Sequence, residues 1–203
     1  KVDDGGAAVT ALTLDMSAAG AATFNDKIIA TEIDISGDVD IVAGVVEGAK
    51  IEKAKASALE WNIPKAYGSY EELLADSRVQ GVYISLANRQ HSEWVESSLH
   101  AGKHVLCEKS LASNAAEALG MQHQAKHSNR VLMEAFHYRY HPLFDAAIEV
   151  IHSGEIGTVE HLEALFHVKG PIPTDDIRRN YALGGGVLMD IGCYPVSWVR
   201  HLM

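Results

Sequence analysis

The stretch Lys103-His104-Val105-Leu106-Cys107-Glu108-Lys109-Ser110 reads as a short apolar strand that hands over to a charged turn. Ligands of open α/β sheets bind in the crevice outside the carboxyl ends of the strands. A lysine delivered at such an end, here Lys109, is aimed at a ligand. Its ammonium can hold a hydroxyl or alkoxide, or carry a proton if its pKa is lowered. An isolated Glu-Lys pair more often lies on a solvated loop, so the surrounding sequence decides between the two readings.

Outward from this strand the chain alternates between two periods. Residues 39–46 form a continuous β-branched run of buried-strand type, 80–85 a further strand and 131–136 another. Helical patterns separate them over 51–61, 69–75, 91–101 and 114–127. Ser69, with Glu72 three residues on, forms a capping box, and Gly102 stops the helix before the central strand. Nearer the amino end, 12–16 is a weak strand and 26–35 a helix. This alternation predicts an α/β fold with parallel strands, right-handed crossovers and helices on both faces. Beyond it the spacing predicts a helix over 142–152 and a strand with one wet face over 159–167. A loop over 169–181 and a final helix over 187–202 follow.

Of the 203 residues 47% are hydrophobic, enough for a packed core and against disorder. A net charge of −10 speaks against nucleic acid and anionic membrane surfaces, which both need a basic face. The two cysteines, Cys107 and Cys193, give no disulfide framework, which fits a reducing, cytoplasmic compartment. No apolar run approaches the roughly 20 residues that span a bilayer, and no secretory signal is evident. An opening lysine and an end at Met203, directly after an apolar helical pattern, predict a piece of a longer chain.

Several side chains can carry chemistry. Gly20-Ala21-Ala22 falls between a strand and a helix, where small residues let the backbone approach a diphosphate at a helix amino terminus. Ala22 and Asn25 replace the second and third glycines of the usual spacing. Glu47, at the end of the next strand, suits ribose hydroxyls and hence NAD, whereas Lys50 and Lys53 suit a 2′-phosphate. Asn88 and His91 follow the 80–85 strand on the ligand side. His137 and His141 are four apart, but Pro142 follows and no third ligand is placed, so no metal site is expected. Arg139, after a strand end, suits a carboxamide, hydroxyl or phosphate. Asp190 and Tyr194 share a helical face behind Gly184-Gly185-Gly186, glycines that allow close approach to a ligand. A tyrosine can exchange a hydroxyl proton, and a nearby ammonium would lower its pKa from about 10.

Four ordered motifs resemble one family. They are Ser85-Leu86-Ala87-Asn88-Arg89-Gln90-His91, Ala101 through Lys109, Glu134-Ala135-Phe136-His137-Tyr138-Arg139-Tyr140-His141-Pro142, and Gly184-Gly185-Gly186 to Asp190-Ile191-Gly192-Cys193-Tyr194-Pro195. Together they look like the glucose–fructose oxidoreductase and inositol dehydrogenase family (Gfo/Idh/MocA), nearest its dihydrodiol dehydrogenase and D-xylose dehydrogenase branch. The resemblance covers about residues 36–203. It implies a Rossmann-like dinucleotide-binding domain over 1–135, with a doubly wound parallel sheet. The start of an α+β substrate domain with an open sheet would follow over 136–203.

The resemblance also implies hydride transfer between NAD(P) and a sugar, polyol or cyclic diol. Lys109, Tyr194 and Asp190 match the catalytic positions, with a substrate hydroxyl between Lys109 and Tyr194. Asn88, His91, Glu108 and Arg139 match cofactor-side positions, beside Gly20, Ala21, Ala22 and Glu47. A homo-oligomer, a dimer, is common in the family. Three departures stand out: Ser110 replaces the proline after the lysine, the glycine turn is degraded, and the family usually continues over a hundred residues further. They leave room for a catalytically impaired NAD(P)-binding homologue that acts as a sensor, or for a purely structural module.

Overall fold

Three short parallel strands organise the part of the chain that the structure, a computed structural model, describes: residues 51–203 apart from Trp61, Asn62 and Pro64. The expectations for 12–16, 20–22, 26–35, 39–46 and Glu47 lie outside the described residues. In chain order the elements are α1 (Ile51–Glu60), α2 (Tyr70–Ala75), β1 (Gly81–Ile84), α3 (Asn88–His100), β2 (His104–Cys107), α4 (Ala115–Ser128), β3 (Leu132–Glu134), a 3-10 turn (His137–Tyr140) and α5 (Pro142–Ser153). Two 3-10 turns (Ile177–Arg179 and Tyr181–Leu183), a π-helical turn (Leu188–Gly192) and α6 (Cys193–Leu202) complete the list. These residues fall into two compact units, 51–136 with Pro173–Asp190 and His137–Ile172 with Ile191–Met203.

In the sheet unit the strand order is β1-β2-β3, all parallel. Gly81 stands opposite His104, Ile84 opposite Cys107, and Cys107 opposite Glu134. Parallel strands need a crossover, and the helical periods seen in the sequence supply it: α3 joins β1 to β2 and α4 joins β2 to β3. Alternation along β2 sends Val105 and Cys107 inward, where they pack with Ile84, Val95, Leu99, Met121 and Ala125. This Rossmann-like core places three strand ends side by side, each leading into a loop.

Ser69 and Gly102, which the pattern singled out, set two helix ends, and Asn114 sets a third. Ser69 caps α2 by accepting from the Glu72 amide at 3.1 Å, and Glu72 reaches back to the Gly68 amide at 2.9 Å. Asn114 caps α4 through the Glu117 amide at 3.0 Å. Gly102, at φ +74°, takes the left-handed backbone that turns α3 into β2. Asp76 anchors the loop between α2 and β1. Its carboxylate accepts from Lys65, Tyr67 and Arg78 at 2.7–3.1 Å, and its carbonyl accepts from the buried Lys103 ammonium at 2.8 Å.

The second unit is a cluster of aromatic rings on α5 and α6. Tyr138 meets Phe144 and Trp198 edge-on at centroid distances of 4.8 and 5.8 Å. Here the structure differs from the sequence expectation in one element. Residues 159–167 carry strand-like alternation, with Leu162, Ala164 and Phe166 half-buried and Glu163, Leu165 and His167 exposed. Among the described residues no strand pairs with this segment, so the pattern of a strand is present without its ladder. The final helix also differs: its first turn, Leu188–Gly192, is π rather than α.

Arg78 first, then Lys65, hold the Asp76 carboxyl well below the usual carboxylate range. A carboxyl depressed in the folded state contributes stability above its unfolded pKa, about 4, and loses it as pH falls. Asp76→Asn is expected to lower the thermal midpoint at pH 7, with the gap to the parent narrowing steadily below about pH 4. Midpoints measured from pH 7 to acid check this; a gap that widened in acid would contradict it.

Candidate functional site

The loop after β2 is built so that its charged side chains leave the sheet together. The Glu108 amide donates to the Ile84 carbonyl and the Ala135 amide to the Cys107 carbonyl, both at 2.8 Å, which extends the ladder past the strand ends. Cys107 is fully buried; burial first, then the charges of Glu108 and Glu134, pushes its thiol far up, so it stays neutral. Glu108 accepts from the Tyr83 hydroxyl at 2.5 Å and from the Lys109 amide at 3.2 Å. The Lys109–Ser110 peptide bond is cis.

Lys109 and Asp190, 81 residues apart, meet in the sheet unit. The ammonium donates to Asp190 Oδ1 at 3.1 Å and to the Asp190 carbonyl. Only 17% and 20% of the two side chains is exposed, so water screens this pair less than a surface ion pair. Asp190 Oδ2 faces Arg178 Nε at 3.2 Å, and Arg178 in turn grips both oxygens of Asp176 at 3.0–3.2 Å. Charges thus alternate along Lys109, Asp190, Arg178 and Asp176. Asp190, foremost, keeps the Arg178 guanidinium charged and raises its pKa.

The glycines before Asp190 serve this arrangement in a way the sequence reading did not anticipate. That reading gave them close approach to a ligand. In the structure a Cβ on Gly185 would lie 2.7–2.8 Å from the carbonyl oxygens of Ile177, Arg178 and Asn180. One on Gly184 would lie 2.9 Å from Asn88 Cβ. The close approach is to the protein's own backbone, and it folds the 173–190 segment back so that Arg178 and Asp190 meet.

Asn88, at the start of α3, donates to the Gly184 carbonyl at 3.1 Å and fastens that segment to the sheet. His91 is fully buried; its Nδ1 faces the Ser110 carbonyl at 2.8 Å and its Nε2 the Leu86 carbonyl at 3.0 Å. The sequence reading put His91 on the cofactor side, whereas here both ring nitrogens are engaged with backbone and the ring braces the Lys109–Ser110 turn. Ser110, where the motif has proline, donates its hydroxyl to the Met189 carbonyl at 3.0 Å.

Tyr194 and Arg139 belong to the aromatic unit. Arg139 is exposed on the 3-10 turn. Tyr194 is buried, stacked on Phe166 at 5.1 Å, with its hydroxyl 3.4 Å from His137 Nδ1. Gly20, Ala21, Ala22 and Glu47 lie outside the described residues. The structure therefore brings together Lys109 and Asp190, with Glu108 beside Lys109, and sets Asn88 and His91 against backbone carbonyls of the same unit. Sequence reasoning missed Arg178 and Asp176. The charge-rich run Asp175-Asp176-Ile177-Arg178-Arg179 was the available signal, but nothing in its spacing names Asp190 as the partner.

The donor set fits the nicotinamide end of a dinucleotide. An ammonium and a carboxylate, Lys109 and Glu108, follow the carboxyl end of β2, and a side-chain amide, Asn88, opens the helix between β1 and β2. Residues that would receive the diphosphate lie outside the described part. Among the described residues no group of three or more His, Cys, Asp or Glu could hold a metal ion.

Comparison with known proteins agrees with the Rossmann-like sheet. Residues 20–136 match a family described as "Oxidoreductase family, NAD-binding Rossmann fold", and residues 144–203 match "GFO/IDH/MocA C-terminal domain". D-xylose 1-dehydrogenase (NADP(+)) 2 of Haloferax volcanii is 45% identical over 75% of this chain and 47% of its own length. Trans-1,2-dihydrobenzene-1,2-diol dehydrogenase of Xenopus laevis is 39% identical over 86% of this chain and 52% of its own. The crystal structure of KijD10, a 3-ketoreductase from Actinomadura kijaniata in complex with NADP and TDP-benzene, superposes with a TM-score of 0.68 at 33% identity, covering 72% of this chain and 45% of that one. The chain spans about half the length of the curated relatives it matches.

An imidazole N–H can donate to one of the two carbonyls that its nitrogens face, Ser110 or Leu86, and leucine removes that donor. One buried acceptor left without its partner costs about 1–3 kcal/mol, so His91→Leu is expected to lower the unfolding free energy by about that amount. Urea titration measures it, and an unchanged midpoint would remove His91 from this bracing role.

Proposed function

Because the chain belongs to the GFO/IDH/MocA oxidoreductase family, we propose that it oxidises a hydroxyl of a sugar, polyol or cyclic diol with NAD(P), and reduces the product in reverse. The observation that carries the reading is the Lys109–Asp190 pair at the carboxyl end of β2. When bound, the dinucleotide supplies the hydride acceptor. The remaining work falls to side chains.

In this reading Lys109 holds the substrate oxygen and stabilises the negative charge that develops on it as the C–H bond breaks. Asp190 keeps the ammonium aimed, and Arg178 keeps Asp190 in place. Tyr194 takes the hydroxyl proton. Asn88 and Glu108 serve the nicotinamide side, with Gly20, Ala21, Ala22 and Glu47 on the diphosphate and ribose, and Arg139 on the cofactor. Residues 1–135 form the cofactor domain and 136–203 the first part of the substrate domain. We place the protein in the cytoplasm as a dimer; among the described residues no helix is long and apolar enough to cross a membrane.

The names of the relatives suggest the first substrates. With D-xylose and with trans-1,2-dihydrobenzene-1,2-diol, each offered with NAD+ and with NADP+, absorbance at the reduced nicotinamide should rise for at least one pair. Lys109→Ala is expected to lower kcat at least about 100-fold, the scale of one charge-stabilising group in a dry site. Unchanged turnover in that variant would end the assignment of Lys109. Dinucleotide binding without turnover of any polyol would select the impaired, sensing homologue instead.

A further inference from the structure

We propose that His137 is the proton outlet of Tyr194: it exchanges the phenolic proton between the buried oxygen and solvent. The inference rests on the hydride-transfer reading for its chemistry, and on the aromatic unit alone for its geometry.

Tyr194 is 7% exposed, and its ring is held by stacking on Phe166, nearly parallel at 8°, by an edge contact with Tyr138 and by a tilted contact with Trp198. Such enclosure leaves the phenol little contact with bulk water. His137 Nδ1 lies 3.4 Å from its hydroxyl, the two rings meet edge-on at 5.6 Å, and His137 is exposed. Imidazole is the side chain whose ordinary titration falls near neutral pH, and it can take a proton at one nitrogen and release it from the other.

Three other ionisable groups of the same unit have partners of their own. The Tyr138 hydroxyl meets Ser197 Oγ at 2.5 Å, His201 meets the Ser197 carbonyl at 2.7 Å and Phe144 edge-on, and His141 caps α5 through the Leu143 amide at 3.1 Å. Arg139, Tyr140 and His167 are exposed.

The step balances. The substrate C–H bond breaks and its electron pair leaves as hydride to the nicotinamide, while the substrate O–H proton passes to the Tyr194 oxygen. The phenol's own proton passes to His137 Nδ1, and the imidazolium gives one up to water. The substrate is oxidised by two electrons, the dinucleotide is reduced, and one proton appears in solvent. His137 acts through Tyr194 and so is a relay and positioning residue.

The test compares His137→Phe and His137→Gln with the parent chain. Both variants are expected to lose about 100-fold in kcat, the low end of a proton-transfer contribution. KM and dinucleotide affinity should stay within twofold, and free imidazole should restore the rate of His137→Phe but not of Tyr194→Phe. Full turnover in either variant overturns the proposal, as does a loss that imidazole leaves unchanged. Should no polyol be turned over, the hydride-transfer reading fails, and nuclear magnetic resonance of the His137 ring nitrogens decides the geometry. Tyr194→Phe must move the Nδ1 resonance; an unmoved resonance overturns the proposal on its own.

Discussion

An ammonium that is five-sixths covered must have a counter-charge, and for Lys109 that charge is Asp190. This requirement shapes the sheet unit. A buried charge left without its partner is expensive, whereas a paired and hydrogen-bonded one is tolerated. The strand β2 fixes where Lys109 emerges. The glycine run fixes how the 173–190 segment returns, Asn88 and Ser110 fasten that segment to the sheet, and Arg178 holds Asp190 within it. Each of these contacts is modest; jointly they leave the ammonium one direction in which to point.

Much of this was legible in the sequence, and the reasons are local. The strand over His104–Cys107 lies between a helix-stopping glycine and a charged turn, so its limits could be read directly. Asn114 and Ser69 announce their helices because a side-chain oxygen followed by Glu three residues later satisfies an amide that would otherwise be bare. What could not be read is pairing at long range. The Arg178–Asp190 contact lies in a loop without periodicity, and its geometry is set by three carbonyls crowding Gly185. The alternation over 159–167 was read correctly as side-chain direction, but a strand also needs a neighbour, which a single sequence segment does not specify. His91 illustrates another limit: a polar residue at a helix start points to a ligand or to its own backbone with equal ease, and only coordinates separate the two.

Family membership and the details of chemistry stand on different footings. Two matched family segments and the parallel sheet establish a dinucleotide-binding oxidoreductase scaffold. In the proposed reaction the charge on the substrate oxygen falls to Lys109 with Asp190 in one unit and the path of the proton to Tyr194 with His137 in the other. Ser110 shows how a departure from the family pattern is absorbed. Its hydroxyl makes a bond to Met189 that a proline ring has no group to make, and the turn remains tied to the segment that carries Asp190.

The account is tested most directly by a double-mutant cycle on Lys109 and Asp190, with Lys109→Met, Asp190→Asn and the pair, read as unfolding free energy in urea. Groups in one charge network couple, and this pair is expected to give an interaction energy of about 1 kcal/mol or more. Effects that add to within about 0.3 kcal/mol would mean that the two side chains do not depend on each other, and the central constraint would be gone.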